Sequence, residues 1–202
     1  MSGQLPTDPA PKSMVLTQQS NSFQSEAHNL RTITRTRDAN RWVISAEYED
    51  SLTEAELWPL YCFALKQNGR RETFTVVLPS KTAPRGTGNG SPTISSLSSA
   101  GATQITCDNF TASETVMLAG DVFKLAGNTK VYMATASVVS NVSGIAAINF
   151  HPPLLVNASV ATALTIASVP FTVRFASDNV TTQINAPVQH NFSIAMVEDI
   201  LD

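Results

Sequence analysis

Apolar and polar residues alternate along most of this chain, and the alternation gives way to a helical period in one place. The stretch "RWVISAEYE" puts Trp42, Ile44, Ala46 and Tyr48 on one face of an extended strand, the two-residue period of a half-buried sheet. Before it, "RTITRTRD" alternates Arg, Thr and Ile. The interruption Asp38-Ala39-Asn40 predicts a hairpin turn between the two, since Asp and Asn tolerate turn geometry. The helical segment is "SLTEAELWPLYCFALKQNG". It opens with the capping-box spacing Ser51-x-x-Glu54 and continues with Leu57, Leu60, Tyr61, Ala64 and Leu65 as one buried stripe. Lys66 and Gly69 suit its end. Pro59 removes one helical hydrogen bond, so it either kinks the helix or moves its start later. A strand from Glu72 to Leu78 follows.

Between Ser80 and Ser99 the period disappears, and Pro84, Gly86, Gly88, Gly90 and Pro92 read as a linker. From Thr103 to Ile166 five short strand segments recur: "TQITCDNF", "GDVFKLAG", "TKVYMATASVV", "GIAAINFHPPL" and "ALTIAS". Their tight spacing predicts a small barrel, with the five-stranded OB-type barrel as the natural candidate. The longer alternation returns in "VPFTVRFASDNVTTQINAPVQHNFSIAMVEDI", with a turn expected near Ser177-Asp178-Asn179. A return of the early pattern implies nesting, because a domain tolerates an insert at an exposed loop. The expected fold is mainly β: a β-sandwich-like domain with one helix, from residues 14–84 and 167–202, carrying an inserted OB-like barrel, residues 85–166. Residues 1–13, rich in Pro and polar groups, read as an arm that is extended or ordered only by a neighbour.

Composition narrows the function. A length of 202 residues supports one large or two small cores, and a charged fraction of 14% with abundant Thr, Ser, Asn and Ala favours strands. The net charge of −3 gives no general attraction to nucleic acid or anionic lipid. The local cluster Arg31, Arg35, Arg37 and Arg41 lacks an accompanying aromatic run, so it reads as a solvated strand face or a subunit contact. Cys62 and Cys107 are too isolated for a disulfide framework or a zinc site, and His28, His151 and His190 are scattered. No signal-peptide core and no run near about 18 apolar residues is seen, so membrane insertion is not expected and the chain is expected to be made in a reducing cytoplasm.

Two Ala-Gly steps in "LAGDVFKLAGNTKVYMATA" raise the question of a phosphate loop. Such a loop needs a helix after its glycines. Gly120-Asp121 and Gly127-Asn128 each lead into strand-like residues instead, so both read as barrel turns. The same region, Ala119–Leu154, carries Gly120-Asp121-Val122-Phe123-Lys124, then Lys130-Val131-Tyr132, then Phe150-His151-Pro152-Pro153-Leu154. In this order these segments resemble the inserted OB-type domain of the distal tail proteins of long-tailed bacteriophages. The match is by motif over this segment and by order of elements elsewhere. It covers a distal tail ring and a sibling tail-tip or baseplate ring alike.

The resemblance implies a structural virion protein with no active site and no cofactor or metal. Six copies would close into a ring at the end of the tail tube, joining tube protein to the tail-tip or baseplate hub. DNA or the tape-measure protein would pass through the lumen without specific binding. Assembly would take place in the host cytoplasm. The N-terminal arm and Arg31, Arg35, Arg37 and Arg41 become the candidate contacts between subunits. The alternative is a carbohydrate- or receptor-binding OB-type module, or one for single-stranded nucleic acid, with Tyr132 and Phe150 as candidate surface residues beside Phe110 and Phe123. Alternating aromatics also suit a core, and exposure of Tyr132 and Phe150 discriminates. For an enzyme the sequence offers no G-x-S-x-G elbow. Asp121 reads as a turn or cap residue, and Glu47, Glu49 and Asp50 as a solvated strand end.

His151-Pro152-Pro153 ends a strand with residues that donate few hydrogen bonds, which marks a barrel rim. Changing Pro152 and Pro153 together to Ala is expected to cost local stability alone. Loss of oligomer mass in the variant, read by light scattering, would contradict this.

Overall fold

The structure is a computed structural model that describes residues 3–49, 51–87, 90–185 and 189–200, with residues 36–39, 184, 185 and 189 described by backbone only. It is mainly β, and its sheets form a half-barrel and a nearly closed barrel. In chain order the strands and helix are β1 (Ser13–Glu26), β2 (Thr32–Glu47), α1 (Glu54–Lys66) and β3 (Phe74–Val77). Then follow β4 (Gly90–Ile94), β5 (Gln104–Phe110), β6 (Thr115–Met117), β7 (Val122–Leu125), β8 (Val131–Ala134), β9 (Val138–Val139), β10 (Ala146–His151) and β11 (Leu164–Thr165). The chain closes with β12 (Pro170–Phe175), β13 (Thr182–Asn185) and β14 (Gln189–Glu198).

Two compact units result. One runs as far as Val76 and resumes from Thr172 to Asp199, and the other is Val77–Phe171 with Ile200. The breaks therefore differ from those expected at Pro84 and Ala167. The Ser168 N–H donates to the Thr82 carbonyl at 2.8 Å, so the segments around both expected points already belong to the inserted unit. Residues 80–87, read as linker, are built into that unit: the Thr87 N–H donates to the Thr115 carbonyl at 2.9 Å. β4 was hidden by its Gly-Ser-Pro opening. Its register with β5 shifts between Gly90 and Thr93, and Pro92, which has no N–H to give a ladder, falls within that irregularity.

The first unit is a sheet in the order β1-β2-β14-β12-β3, with β13 paired to β14. Trp42, Ile44, Ala46 and Tyr48 are all buried, as their alternation requires. With them lie Leu57, Leu60 and Ala64 of α1, and Phe74, Phe175, Phe192 and Met196. The Phe74 ring meets Phe63 edge-on at 5.4 Å and Phe175 at 5.0 Å. Residues 3–5 are tied to this unit rather than waiting for a neighbour. The Thr75 N–H donates to the Gly3 carbonyl at 3.0 Å, the Leu5 N–H to the Thr75 carbonyl at 2.9 Å, and Leu5 is buried.

Three local expectations are corrected. Asp38-Ala39-Asn40 makes no hairpin turn: β2 is continuous through it, and Ser20 pairs with Asn40 while Asn21 pairs with Arg37. Asp38 and Ala39 are therefore a bulge, extra residues in one strand that leave the pairing on either side intact. The reversal lies at Ala27–Arg31, where the Ala27 N–H donates to the Arg31 carbonyl at 3.0 Å and the Leu30 N–H to the Ala27 carbonyl at 2.8 Å. The capping box sits two residues later than Ser51-Glu54. The Glu56 carboxylate accepts from the Thr53 N–H at 2.9 Å and from the Thr53 hydroxyl at 2.7 Å. Finally, the segment at Ser177-Asp178-Asn179 joins β12 to β13, but both strands pair with β14.

In the second unit the strand order is β11-β7-β8-β10-β5-β4, with β6 and β9 as a separate pair. The two ends of the order meet. The Ile94 N–H donates to the Thr162 carbonyl at 3.0 Å, the Ala161 N–H donates to the Ile94 carbonyl at 2.8 Å, and Thr93 bridges Ala163. Closure removes the edges that an open sheet leaves exposed. The expected strands at 104–110, 122–125, 131–134, 146–151 and 164–165 are present, and β4, β6 and β9 are additional. Gly120 stands just before β7 and Gly127 between β7 and β8, and neither opens a helix.

Gly69 follows α1 at φ +63°, and a Cβ there would stand 2.9 Å from the Asp178 Cα. Both the left-handed backbone and the close approach require glycine. Gly69→Ala is expected to lower stability by roughly 1–3 kcal/mol, measured by chemical denaturation. An unchanged midpoint would contradict the contact.

Candidate functional site

The four arginines lie on or beside the β1–β2 ribbon, which has two different halves. Where Ser13–Ser20 pairs with Asn40–Glu47, β14 flanks β2 on the other side from Val43 to Glu47. The Trp42 N–H, just past the end of that ladder, donates instead to the buried Glu198 carboxylate at 3.0 Å. Beyond the bulge, among the described residues, β2 pairs with β1 alone. From Asn21 to Glu26 and from Thr32 to Arg35 every residue is exposed. Six residue pairs at about 3.4 Å each extend this part by roughly 20 Å.

Side-chain alternation divides the ribbon into two faces. Gln19, Asn21, Phe23 and Ser25 pair with Arg41, Arg37, Arg35 and Ile33 in that order, so the two-residue bulge keeps these positions on one face. The other face continues the core face of Ile44 and Trp42, but there it carries Ser22, Gln24, Glu26, Thr32 and Thr34. Where the core ends, the inward positions become polar. Arg35 is exposed, and Arg41 donates from Nε to Gln19 Oε1 at 2.7 Å. Arg31 is exposed beside the turn. The side chain of Arg37 lies outside the described residues. The tip residue Leu30 is 78% exposed with φ 61°, and Ile33 is 55% exposed. A left-handed backbone at a leucine is uncommon and strained.

Tyr132 and Phe150 are not surface residues. They are 0% and 2% exposed. Phe123 stacks on Tyr132 at 5.6 Å, and Phe150 meets Phe123 and Tyr132 edge-on at 5.5 and 5.3 Å. Each such pair contributes about 0.5–1.5 kcal/mol beyond burial. The Tyr132 hydroxyl accepts from the Leu155 N–H at 3.3 Å. The alternating aromatics of the barrel are its core, and Phe110 is buried with them.

Asp121 is a structural anion. Its buried carboxylate accepts from the Leu118 N–H at 2.8 Å, the Arg85 N–H at 2.9 Å and Arg85 Nε at 3.0 Å, while Arg85 also donates to the Ala119 carbonyl. This ties the entry segment to the β6–β7 turn. Burial opposes ionisation, but the hydrogen bonds from Leu118 and Arg85 and the guanidinium charge outweigh it and hold the carboxyl below its usual range. Glu47 and Glu49 are exposed at the end of β2, and Asp50 lies outside the described residues. His28 is in the ribbon turn, His151 ends β10, and His190 is buried in β14. Among the described residues no group of three His, Cys, Asp or Glu side chains is placed to hold a metal ion. A polar groove of about 420 Å³ is lined by Lys12, Glu47, Tyr48, Gln183 and Asn191, among others.

The structure also exposes a surface that the sequence reading missed. Leu65, assigned to the buried stripe of α1, is 52% exposed, and Tyr61 is half-buried. They line up with Trp58, 41% exposed, and with Glu54 at spacings of four, seven and eleven residues along one side of the helix. The signal was present: α1 has apolar residues on two faces, and a single stripe accounts for Leu57, Leu60 and Ala64 only.

Compared with protein-family models and with curated protein sequences, the chain matches none.

Because the folded Asp121 carboxyl is depressed, its stabilisation is complete above the unfolded value near about 4 and is lost as pH falls through the folded value. Asp121→Asn is expected to cost roughly 1–3 kcal/mol at neutral pH. In thermal melts the gap between wild type and variant should narrow as the pH is lowered through this window. A constant gap would contradict the assignment.

Proposed function

We propose that this protein is a non-enzymatic structural component of a bacteriophage tail. In this reading copies close into a ring, six by resemblance, at the distal end of the tail tube. The ring joins the tube to the tail-tip or baseplate hub, and DNA passes through it without specific contact. The observation that carries the assembly part is the bare ribbon. An isolated two-stranded ribbon is marginal in water and is a template for association, so about 20 Å of it with apolar residues and arginine on one face favours burial against another molecule. The tail-specific part rests on the motif order of Ala119–Leu154, whose segments coincide with β7, β8 and the end of β10. Nesting of one β unit within another is compatible with it.

The binding-module alternative is weakened by the burial of Tyr132 and Phe150, which were its best residues. The catalytic alternative is weakened by the structural use of Asp121, whose carboxylate is taken up by hydrogen bonds from Leu118 and Arg85.

Light scattering over a concentration series, followed by negative-stain imaging, tests the reading. A closed oligomer with a central hole is expected. A chain that stays monomeric at the highest concentrations would contradict self-assembly into a ring.

A further inference from the structure

We propose that the distal ribbon of one copy docks on the exposed side of α1 in the next copy, with Arg35 against Glu54, Ile33 against Trp58 and Leu30 against Leu65. The inference rests on the ring reading and names the two surfaces that form its seam.

The two surfaces are complementary in charge and in spacing. Along the ribbon, Arg35 and Ile33 stand on one face at roughly 7 Å, and the exposed Leu30 lies past the start of β2, in the turn. Along α1, Glu54, Trp58 and Leu65 follow at about 6 and 10.5 Å, from a rise of 1.5 Å per residue. A cation thus meets an anion when Ile33 meets Trp58, and the exposed Leu30 of the turn lies beyond Ile33 as the exposed Leu65 lies beyond Trp58. Trp58 and Tyr61, edge-on at 6.0 Å, give a broad aromatic surface, which also attracts a guanidinium held over it. Glu54 is exposed at the start of α1, and the distal ribbon presents the exposed Arg31 and Arg35.

The occupant is a second copy because each chain bears one ribbon and one α1 surface, both exposed within the same fold. Two different surfaces that fit each other make a head-to-tail contact, which generates a closed ring when the rotation closes. The tip geometry points the same way. A leucine held at φ 61° at an exposed turn, where glycine would avoid the strain, is explained by a contact that needs its side chain.

Charge exchange tests the contact, since Arg35 and Glu54 are both exposed and their reversal leaves either core untouched. Arg35→Glu and Glu54→Arg singly are each expected to raise the concentration at which the oligomer dissociates by about tenfold or more, measured by sedimentation. The double variant carries the reversed pair across every seam and should return most of that loss. A double variant as weak as the two single effects combined would overturn the pairing. So would single variants that assemble like wild type. A second test uses Cys62, exposed on α1. Ile33→Cys should give covalent multimers with a short bis-maleimide, and these should vanish when Cys62→Ser is added. An assembled ring that gives no such multimers overturns the proposal but leaves the ring reading intact, whereas a wild type that is monomeric throughout overturns both.

Discussion

A strand buried over one half and bare over the other is the constraint on which the first unit turns. From Trp42 onward β2 is a core strand, with β1 on one side and β14 on the other and its inward residues fully packed. Before Asn40, among the described residues, the same strand has only β1 beside it, and its inward positions become Thr and their partners Ser, Gln and Glu. The exchange of apolar for polar residues occurs where β14 stops supplying cover. Its outward positions there carry Ile33 and Arg35, both exposed, where a solvated face would favour Ser and Thr. The chain spends a long strand on a surface that its own core does not use.

The second unit is stabilised differently and without reference to that surface. Its sheet closes through backbone bonds between Ile94 and residues 161 and 162, and its interior is filled by the contacts among Phe123, Tyr132 and Phe150. Asp121 and Arg85 fasten the entering chain to it. Burial of the aromatics fills the core of the barrel, and it removes the platform on which a ligand would have stacked.

Much of this was legible in the sequence where one periodicity acted alone. The alternation of Trp42, Ile44, Ala46 and Tyr48, and the five barrel segments, reported their buried faces directly. Misreadings arose where two demands overlap. β1 has Phe23 as its single apolar residue over its outer half, so periodicity could not report it, and Asp38-Ala39-Asn40 satisfied the criteria for a turn while serving as a bulge. The composition of residues 80–99 concealed β4, because Gly and Pro suit an irregular barrel strand as well as a linker. On α1 two apolar stripes were merged into one, which placed Leu65 in the core and hid the line through Glu54, Trp58 and Leu65. Motif order supplied the functional expectation; the local chemistry of the ribbon and helix supplied a seam for it.

Amide hydrogen exchange across a concentration series tests the central claim most directly. The account predicts that amides of 21–26 and 32–36 exchange fast in dilute monomer and become protected together as the oligomer forms, while the barrel interior is protected throughout. Fast exchange of the ribbon at concentrations where the mass is that of the full oligomer would contradict it.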